Sequence, residues 1–166
     1  MNFEEIYTKR RSDRYLKKDE LDEITINKIL EAGMHAPIAM GQYDNVILYV
    51  LKDKKLEDFK DLFIKETGAD IFYNCGLIIL VFHKGLNDAL KNQDTGCILE
   101  NVCLECASLN LGSVYSYSVA RYCNVNEKLR NFFNVSSEYK LTAGAIIGKI
   151  DKNKVSNVSH KMEVIY

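Results

Sequence analysis

Residues 76–83 read GLIILVFH and are the most hydrophobic strand-like segment of the chain. An apolar run that is nearly continuous over this length is typical of a strand covered on both faces. We therefore expect a strand in the middle of a sheet. Residues 45–51 read NVILYVL, and their β-branched, apolar character predicts a second buried strand.

Other segments complete the predicted fold. Two more strands are predicted at 113–119 and 139–150. Apolar spacing predicts a short helix that begins at residue 3 and further helices at 23–35, 54–65, 95–111 and 126–133. The helix at 95–111 is apolar over so wide an arc that we expect it in the core or at a subunit interface. The order of elements predicts an α+β fold, a sheet of about four or five strands with helices on its faces.

The composition excludes several classes of protein. The chain has 166 residues, of which 47% are hydrophobic and 27% charged, and it contains 1 Pro. These values exclude disordered, collagenous and coiled-coil chains. The length fits one domain spanning residues 1–166. The 22 basic and 23 acidic side chains give a net charge of -1, so no overall basic field attracts nucleic acid or an anionic membrane.

The amino terminus and the cysteines predict a cytosolic protein. Residues 1–15 contain acids and no apolar stretch long enough for a signal peptide. No later apolar run reaches the roughly 20 residues of a membrane-spanning helix. The 5 cysteines are odd in number and lie in apolar segments. A disulfide framework belongs to small, loop-rich secreted chains, so we expect reduced thiols here.

A basic cluster at residues 9–14, KRRSDR, is the strongest local signal for a ligand. Its three guanidinium groups repel each other unless an anion lies among them. Arginine presents a planar set of donors that matches phosphate oxygens in pairs, and Ser12 adds a hydroxyl donor, so a phosphate monoester would fit. The alternative is the solvated end of a helix, where cations interact favourably with the helix dipole. The spacing does not decide between these interpretations.

Four cysteines form a possible metal-binding set. Cys103 and Cys106 form a C-x-x-C motif, and Cys97 and Cys123 would complete four thiolates for zinc or an iron–sulfur cluster. Yet the first three lie in one continuous helical pattern, whereas metal-binding pairs sit on turns that can converge. Buried free cysteine packs as a small hydrophobic residue, so we expect packing and no metal site, with a redox dithiol as the alternative.

Several motifs resemble the nitroreductase family of FMN-dependent oxidoreductases. RRSDRY at 10–15, followed by a helix ending EAGMHAP at 31–37, resembles the opening of the family's sequence. DTGCILEN at 94–101 is similar to its long central helix, and AGAIIGK at 143–149 is similar to its last core strand. The similar stretches run in family order from residue 3 almost to the end of the chain.

The resemblance implies a nitroreductase-like fold, with a central mixed or antiparallel sheet flanked by helices. It also implies a homodimer of intertwined subunits, with FMN held in clefts that both chains form. The carboxyl-terminal arm of family members commonly wraps onto the partner subunit, and the tail MEVIY at 162–166 would be exchanged there as an added strand.

The resemblance also assigns residues to the cofactor. The phosphate, ribityl chain and pyrimidine edge of FMN would be held by Arg10, Arg11, Ser12 and Arg14, with Lys149 and Lys161 adding positive charge at the phosphate. The turn that approaches the flavin from the other subunit would be formed by Pro37, Ile38, Ala39 and Gly41. The residues near flavin N5 would be Ser116, Tyr117 and Ser118.

The implied activity is that of an enzyme whose chemistry is carried by FMN, without a dedicated catalytic acid or base. Arg10 or Arg14 would stabilise the negative charge that develops at N1 and O2 of the flavin. The implied reaction is hydride transfer from NAD(P)H to a small electron-poor acceptor, a nitro compound or a quinone, by a ping-pong mechanism.

Departures from the family pattern leave other functions open. After the second helix the family often has Ser, Asn and Gln where this chain has Ile38, Gly41 and Tyr43, and Tyr117 is larger than the glycine usual near N5. These changes remove polar contacts and narrow the space above the ring. The alternatives are a specialised family member, acting in dehalogenation or ring oxidation, and a flavin-binding carrier with little turnover.

Overall fold

The computed structural model describes residues 1–85, 87–151 and 162–165. The helices in these residues are α1 (Phe3–Lys9), α2 (Glu23–Met34), α3 (Asp53–Thr67), α4 (Asp88–Ser108), α5 (Tyr117–Val125) and α6 (Glu127–Phe132). The strands are β1 (Leu16–Lys17), β2 (Val46–Lys52), β3 (Leu77–His83), β4 (Leu111–Ser116) and β5 (Lys140–Ile150). Two short 3₁₀ turns, Ala39–Gly41 and Tyr43–Asn45, lie between α2 and β2.

These strands form one sheet in which all neighbouring strands are antiparallel. β5 is central, because β3 pairs with it on one side and β4 on the other, and β2 forms the edge beyond β3. β1 pairs with the last two residues of β5. Every residue of β3 is buried. The prediction of a strand in the middle of the sheet at 76–83 is therefore confirmed.

Helices cover both faces of the sheet. On one face α3, α5 and α6 enclose an aromatic cluster around Phe59, whose ring centroid lies 5.1 to 5.9 Å from those of Phe63, Phe72, Phe132 and Phe133. On the other face α2 and α4 bury aliphatic side chains against the sheet, among them Ile29, Val102 and Ile147. Burial on both faces explains why β3 is apolar at every position before His83, and it confirms the α+β fold class.

α4 is the longest helix in the described residues, and it begins earlier than the sequence predicted. It starts at Asp88 rather than at Thr95, because the Asn87 side chain accepts hydrogen bonds from the amides of Ala89 and Leu90 and caps the helix. Its first two turns are mostly polar, so they lack the apolar spacing that reveals a helix. Beyond these turns the buried side of α4 packs on the sheet and on α2, which confirms a core position.

The predicted strand at 113–119 is wrong in its second half. β4 ends at Ser116, where its pairing with β5 also ends, and α5 begins at Tyr117. The alternation of Ser, Tyr and Val continues past this point, but packing against the aromatic cluster overrides it. The residues of α5 that are buried there recur with helical spacing: Val119, Ala120 and Cys123.

Two paired glycines let the segment before β1 lie against the sheet. Gly112 of β4 is opposite Gly148 of β5. A Cβ at Gly112 would lie 2.6 Å from Leu16 Cδ2 and 3.1 Å from Asp13 Cβ, and a Cβ at Gly148 would lie 3.2 Å from Leu16 Cβ. A side chain at Gly112 would therefore press on Leu16 and Asp13. The glycine pair allows residues 13–16, which include the end of the basic cluster, to lie close to the sheet.

The carboxyl-terminal tail is described only at residues 162–165. These residues carry no strand and are exposed, so the expected exchange of the tail with a partner subunit stays a prediction. Lys161, assigned above to the phosphate, lies outside the described residues. No helix in the part of the chain that the structure describes is long and apolar enough to span a bilayer.

Candidate functional site

The basic cluster lies where α1 ends and the chain turns onto β4. Arg10 is the first residue after α1, and its backbone N–H donates to the Ile6 carbonyl at 3.0 Å. The Asp13 N–H then donates to the Ser113 carbonyl of β4 at 3.1 Å, and Ser12 forms a parallel bridge with Ser113. The cluster is therefore more than the solvated end of a helix, because part of it is fixed to the sheet.

Two of the arginines in the cluster are paired with carboxylates of the chain itself. Arg10 Nε lies 3.4 Å from Glu100 Oε1 of α4, and Arg11 Nε lies 3.1 Å from Asp13 Oδ2. Each contact uses Nε, one of the five N–H donors that a guanidinium carries. The expectation that an outside anion must relieve the repulsion among the arginines is therefore only partly right, because two carboxylates of the chain already lie among them.

Arg14 is the exposed arginine of the cluster. Its side chain makes no ion pair with any residue in the described ranges. Ser12, close to it in the chain, is half-buried and retains its hydroxyl donor. An uncompensated guanidinium near a hydroxyl, adjacent to two ordered arginines, suits a phosphate dianion. The residues present therefore fit the phosphate of FMN.

Asp13 is a candidate residue that sequence reasoning missed. Its side chain is 1% exposed, and among the described residues its Oδ1 has no hydrogen-bond partner. A buried carboxylate without donors is unfavourable unless a nearby cation compensates its charge. Arg11 is that cation, and the contact holds its guanidinium in place. The acid inside the RRSDR motif was the signal for this pair, whereas no local signal pointed to Glu100.

The turn assigned to the flavin follows α2 and is held by α4. Met40 and Gly41 have φ values of 55° and 65°, so two successive residues lie in the left-handed region. The Ala39 N–H donates to Asp94 Oδ1 at 2.9 Å, which ties the turn to the first half of α4. The residues assigned to the cofactor here are partly buried or exposed: Pro37, Ile38, Ala39 and Gly41.

Asp94 also forms a buried pair with His83, the last residue of β3. Asp94 Oδ2 lies 3.0 Å from His83 Nε2, and His83 Nδ1 lies 2.9 Å from the Lys84 carbonyl oxygen. Both side chains are buried. The sequence shows His83 at the end of a strand but gives it no partner, because Asp94 reaches it only through the packing of α4 against the sheet.

The residues assigned to flavin N5 lie at the junction of β4 and α5. Ser116 ends β4 and is buried, whereas Tyr117 and Ser118 are exposed in the first turn of α5. The Ser116 side chain makes no capping hydrogen bond. The first amide N–H groups of a helix lack partners within the helix, so those of Tyr117 and Ser118 are placed to donate to a ligand.

Lys149, assigned to the phosphate, lies near the end of β5. Its Nζ is 3.5 Å from Asp19 Oδ2, so a carboxylate already compensates part of its charge. Its neighbours in the sheet are Leu111 of β4 and Lys17 of β1. Its role at the phosphate stays a prediction.

Two groups of assigned residues contact different parts of α4. The 37–41 turn reaches the helix at Asp94, whereas Arg10 reaches it at Glu100. From residue 94 to residue 100 an α-helix advances about 9 Å along its axis. The assignment of the turn to the flavin cleft of the other subunit stays a prediction.

The cysteines of the C-x-x-C motif are buried in the core. Burial raises the pKa of the Cys103 and Cys106 thiols, and it raises the pKa of Cys75 and Cys123 to about 12. These thiols therefore stay protonated and unreactive at neutral pH, which favours packing over a redox role. Cys97 is exposed. Within the described ranges, no group of His, Cys, Asp or Glu side chains is placed to hold a metal ion.

Comparison with known proteins relates the sequence and the fold to one family. Residues 7–67 match the Nitroreductase family, and no curated protein matches the chain. A nitroreductase with bound FMN from Bacteroides fragilis has a TM-score of 0.85 at 18% identity, covering 100% of both chains. An FMN-dependent nitroreductase from Clostridium difficile has a TM-score of 0.76 at 25% identity, covering 93% of this chain and 91% of its own.

A third solved structure agrees with these two. Nitroreductase CinD from Lactococcus lactis, in complex with nicotinic acid, has a TM-score of 0.80 at 19% identity, covering 98% of this chain and 95% of its own. The expected nitroreductase-like fold is therefore confirmed. The sequence match covers the segment that carries the basic cluster and the 37–41 turn. The matched segment and the shared fold together confirm the resemblance inferred from the sequence, and they show that this chain is similar to the nitroreductase family in fold and in its first part.

Proposed function

We propose that residues 1–166 form one FMN-binding domain of a cytosolic, homodimeric oxidoreductase. The proposed enzyme transfers hydride from NAD(P)H to a small electron-poor acceptor, a nitro compound or a quinone, by a ping-pong mechanism. The observation that carries this proposal is the arginine segment fixed against β4, in a fold shared over the full chain with a nitroreductase whose structure contains FMN.

The cofactor phosphate would bind at the basic cluster. Arg14 supplies uncompensated positive charge, Ser12 a hydroxyl donor, and Arg10 and Arg11 further N–H donors. Carboxylates of the chain hold the guanidinium groups of Arg10 and Arg11 in place. The site is therefore ordered before the ligand binds, which reduces the entropy lost on binding. FMN, when bound, supplies the hydride chemistry.

The N5 edge of the ring would lie at the start of α5. The amides of Tyr117 and Ser118 are the donors proposed for it, since they lie in the first helical turn and have no partners within the helix. The Tyr117 side chain is 61% exposed beside these amides. We infer that it covers part of the ring and limits the size of the acceptor.

A second copy of the chain would complete the cleft. Large apolar side chains are exposed on α1 and α2, namely Phe3, Tyr7, Ile24 and Met34. An apolar groove of about 430 Å³ lies between α2, α4 and the edge strand β2, with Leu30, Ile38 and Leu48 in its walls. Exposed apolar surface of this kind is typical of an interface with another protein. A homodimer that covered it would let the 37–41 turn of each subunit reach the arginine cluster of the other.

The colour of the purified protein tests the cofactor assignment. We expect a yellow protein that releases FMN on denaturation, identified by chromatography. Anaerobic mixing with NADH or NADPH in a stopped-flow spectrometer should bleach the flavin absorbance, and a quinone or nitroaromatic compound should restore it. A colourless protein that takes up no added FMN would contradict the proposal. Tight FMN binding with no bleaching by either nucleotide would indicate a flavin carrier instead.

A further inference from the structure

A buried acid–base pair lies behind the turn assigned to the flavin. Asp94 is 6% exposed and His83 is 4% exposed. Asp94 Oδ1 accepts from the Ala39 N–H, and its Oδ2 faces His83 Nε2. We propose that Asp94 and His83 are positioning residues, which share one proton and hold the 37–41 turn in the shape that contacts the cofactor. The inference rests on the proposed function, because that function assigns the turn to FMN.

The hydrogen-bond partners of the pair require a shared proton. His83 Nδ1 lies 2.9 Å from the Lys84 carbonyl oxygen, which can only accept, so Nδ1 carries a hydrogen. Nε2 lies 3.0 Å from Asp94 Oδ2. A neutral imidazole facing an ionised carboxylate would oppose two lone pairs at this distance. The contact therefore holds one further proton, either as imidazolium with carboxylate or as imidazole with carboxylic acid.

Lys91 of α4 and Lys140 of β5 are paired with a different acid, Asp88. Lys91 Nζ lies 2.7 Å from Asp88 Oδ1, and Lys140 Nζ lies 3.9 Å from Asp88 Oδ2. Lys91 also lines a cleft of about 150 Å³ in front of Asp94 and His83. These two lysines therefore add positive charge near the pair without bonding to it.

The elements beside His83 contribute no acid that competes for its proton. Lys84, which follows β3, lies over the Tyr139 ring with Nζ 5.0 Å from the centroid. On β2 the residue in register with His83 is the apolar Val46. Within the described residues, Asp94 is thus the acid paired with His83, and the proton between them compensates the carboxylate charge.

The turn needs this support because its backbone is unfavourable by itself. Met40 has φ 55°, a left-handed conformation that disfavours residues other than glycine. A residue in this conformation persists only where surrounding contacts hold it. The backbone N–H of Ala39, directly before Met40, donates a hydrogen bond to Asp94 Oδ1, so the carboxylate couples the turn to helix α4.

Loss of the Asp94 side chain would weaken this hold. Without it, the Ala39 N–H loses its acceptor on α4, and His83 Nε2 loses its partner. The turn would then be free to leave the shape that contacts the cofactor, so the affinity for FMN should fall.

Substitutions of Asp94 test the proposal. Asp94→Asn can keep the hydrogen bonds without a titratable proton, because its amide oxygen accepts from Ala39 and its amide N–H donates to Nε2 of a neutral His83. Asp94→Ala removes both bonds. Asp61→Asn, at an exposed position of α3, controls for the loss of a carboxylate. Fluorescence titration with FMN at neutral pH measures the Kd of each protein.

We expect Asp94→Ala to raise the Kd for FMN by about tenfold or more, since it removes a hydrogen bond to a charged group. Exchange of the Ala39 amide hydrogen should be faster in this variant without FMN, which is a readout independent of the cofactor. Asp94→Asn should keep a Kd for FMN close to that of the wild type, because its amide can make both hydrogen bonds.

A folded Asp94→Ala protein with wild-type FMN affinity and wild-type exchange at Ala39 would overturn the proposal. If that variant does not fold, a folded Asp94→Asn protein that binds FMN at least tenfold more weakly than the wild type would overturn it, because this variant keeps both hydrogen bonds. A wild-type protein that binds no FMN would contradict the proposed function and this proposal together. Binding by the wild type that is insensitive to Asp94 would contradict this proposal alone.

Discussion

Arg11 Nε lies 3.1 Å from Asp13 Oδ2, and the carboxylate that it contacts is almost completely buried. Arg10 is likewise paired with Glu100. These contacts leave Arg14 as the guanidinium whose charge no described residue compensates. The arginines of one short motif therefore have different roles, since two are held by the chain and the third is available to an incoming anion.

This division predicts the effect of removing Arg14. Arg14→Ala should raise the Kd for FMN by about tenfold or more, because charge-assisted hydrogen bonds to phosphate are worth roughly 1.5–3 kcal/mol. The Kd for riboflavin, which lacks the phosphate, should change little. Titration of both flavins measures the difference, and Lys65→Ala, at an exposed position of α3, controls for the loss of a cation. Equal weakening of both flavins would mean that Arg14 does not contact the phosphate.

Removal of Arg10 together with Arg14 should weaken FMN binding more than removal of Arg14 alone. Arg10→Ala combined with Arg14→Ala should yield a protein purified without cofactor, with an unfolding midpoint close to that of the cofactor-free wild type, because partly exposed cations seldom stabilise a core. The visible spectrum and thermal unfolding followed by circular dichroism measure the two effects. Full flavin occupancy in the doubly substituted protein would place the phosphate elsewhere.

The substitution Gly112→Ala, in β4, should disturb the neighbouring residues Asp13 and Leu16, which follow the arginines of the basic cluster or lie among them. The added Cβ would lie 2.6 Å from Leu16 Cδ2 and 3.1 Å from Asp13 Cβ, so the Leu16 side chain must move and Asp13 must shift by a few tenths of an ångström. We expect a loss of about 1–3 kcal/mol in the free energy of unfolding, the usual range for overpacking, together with weaker FMN binding. Urea unfolding and FMN titration measure these changes.

A double-mutant cycle isolates the contact between Gly112 and Leu16. Leu16→Ala alone should destabilise the protein by about 2–5 kcal/mol, since this side chain is buried. Combined with Gly112→Ala, the loss should be smaller than the sum of the two single effects, because the smaller side chain leaves room for the new Cβ. Strict additivity would show that the two positions are not coupled.

Thiol labelling distinguishes packing from a redox role for the C-x-x-C motif. Burial raises the pKa of Cys103 and Cys106, so these thiols remain protonated at neutral pH and should resist alkylation in the native protein. Alkylation in denaturant should label them fully, and mass spectrometry of peptides identifies the modified sites. Labelling of Cys103 or Cys106 under native conditions, at a rate comparable to that of a free thiol, would favour the redox dithiol.

The oligomeric state tests the apolar surface on α2. Met34 is 60% exposed and lines the apolar groove, so Met34→Glu should shift a dimer toward monomer by placing a charge in the interface. Val125→Glu is a matched control, because Val125 is 82% exposed at the end of α5, on the opposite face of the sheet. Sedimentation equilibrium measures the molecular mass of each protein. A monomeric wild type would contradict the proposed homodimer.

Most helices and strands could be predicted from the sequence because their burial repeats with the period of the backbone. The spacing of Ile26 and Ile29 predicted the buried side of α2, and the nearly continuous apolar run at 76–83 predicted β3. α5 was missed because its first residues continue the alternation of β4, and only contact with the aromatic cluster makes them helical. The start of α4 was missed because a polar helical turn carries no apolar period.

By itself, then, the sequence determined the fold class, the strand at the middle of the sheet and the position of a short, arginine-rich segment after the first helix. Only the tertiary structure decided that Arg14 is the arginine of this segment without an ion pair to any described residue, and that Asp94, paired with His83, accepts a hydrogen bond from the 37–41 turn. The physical reason is that compensation of a charge depends on distances between side chains that are far apart in the chain. Local periodicity encodes which face of an element is buried, but it does not encode those distances.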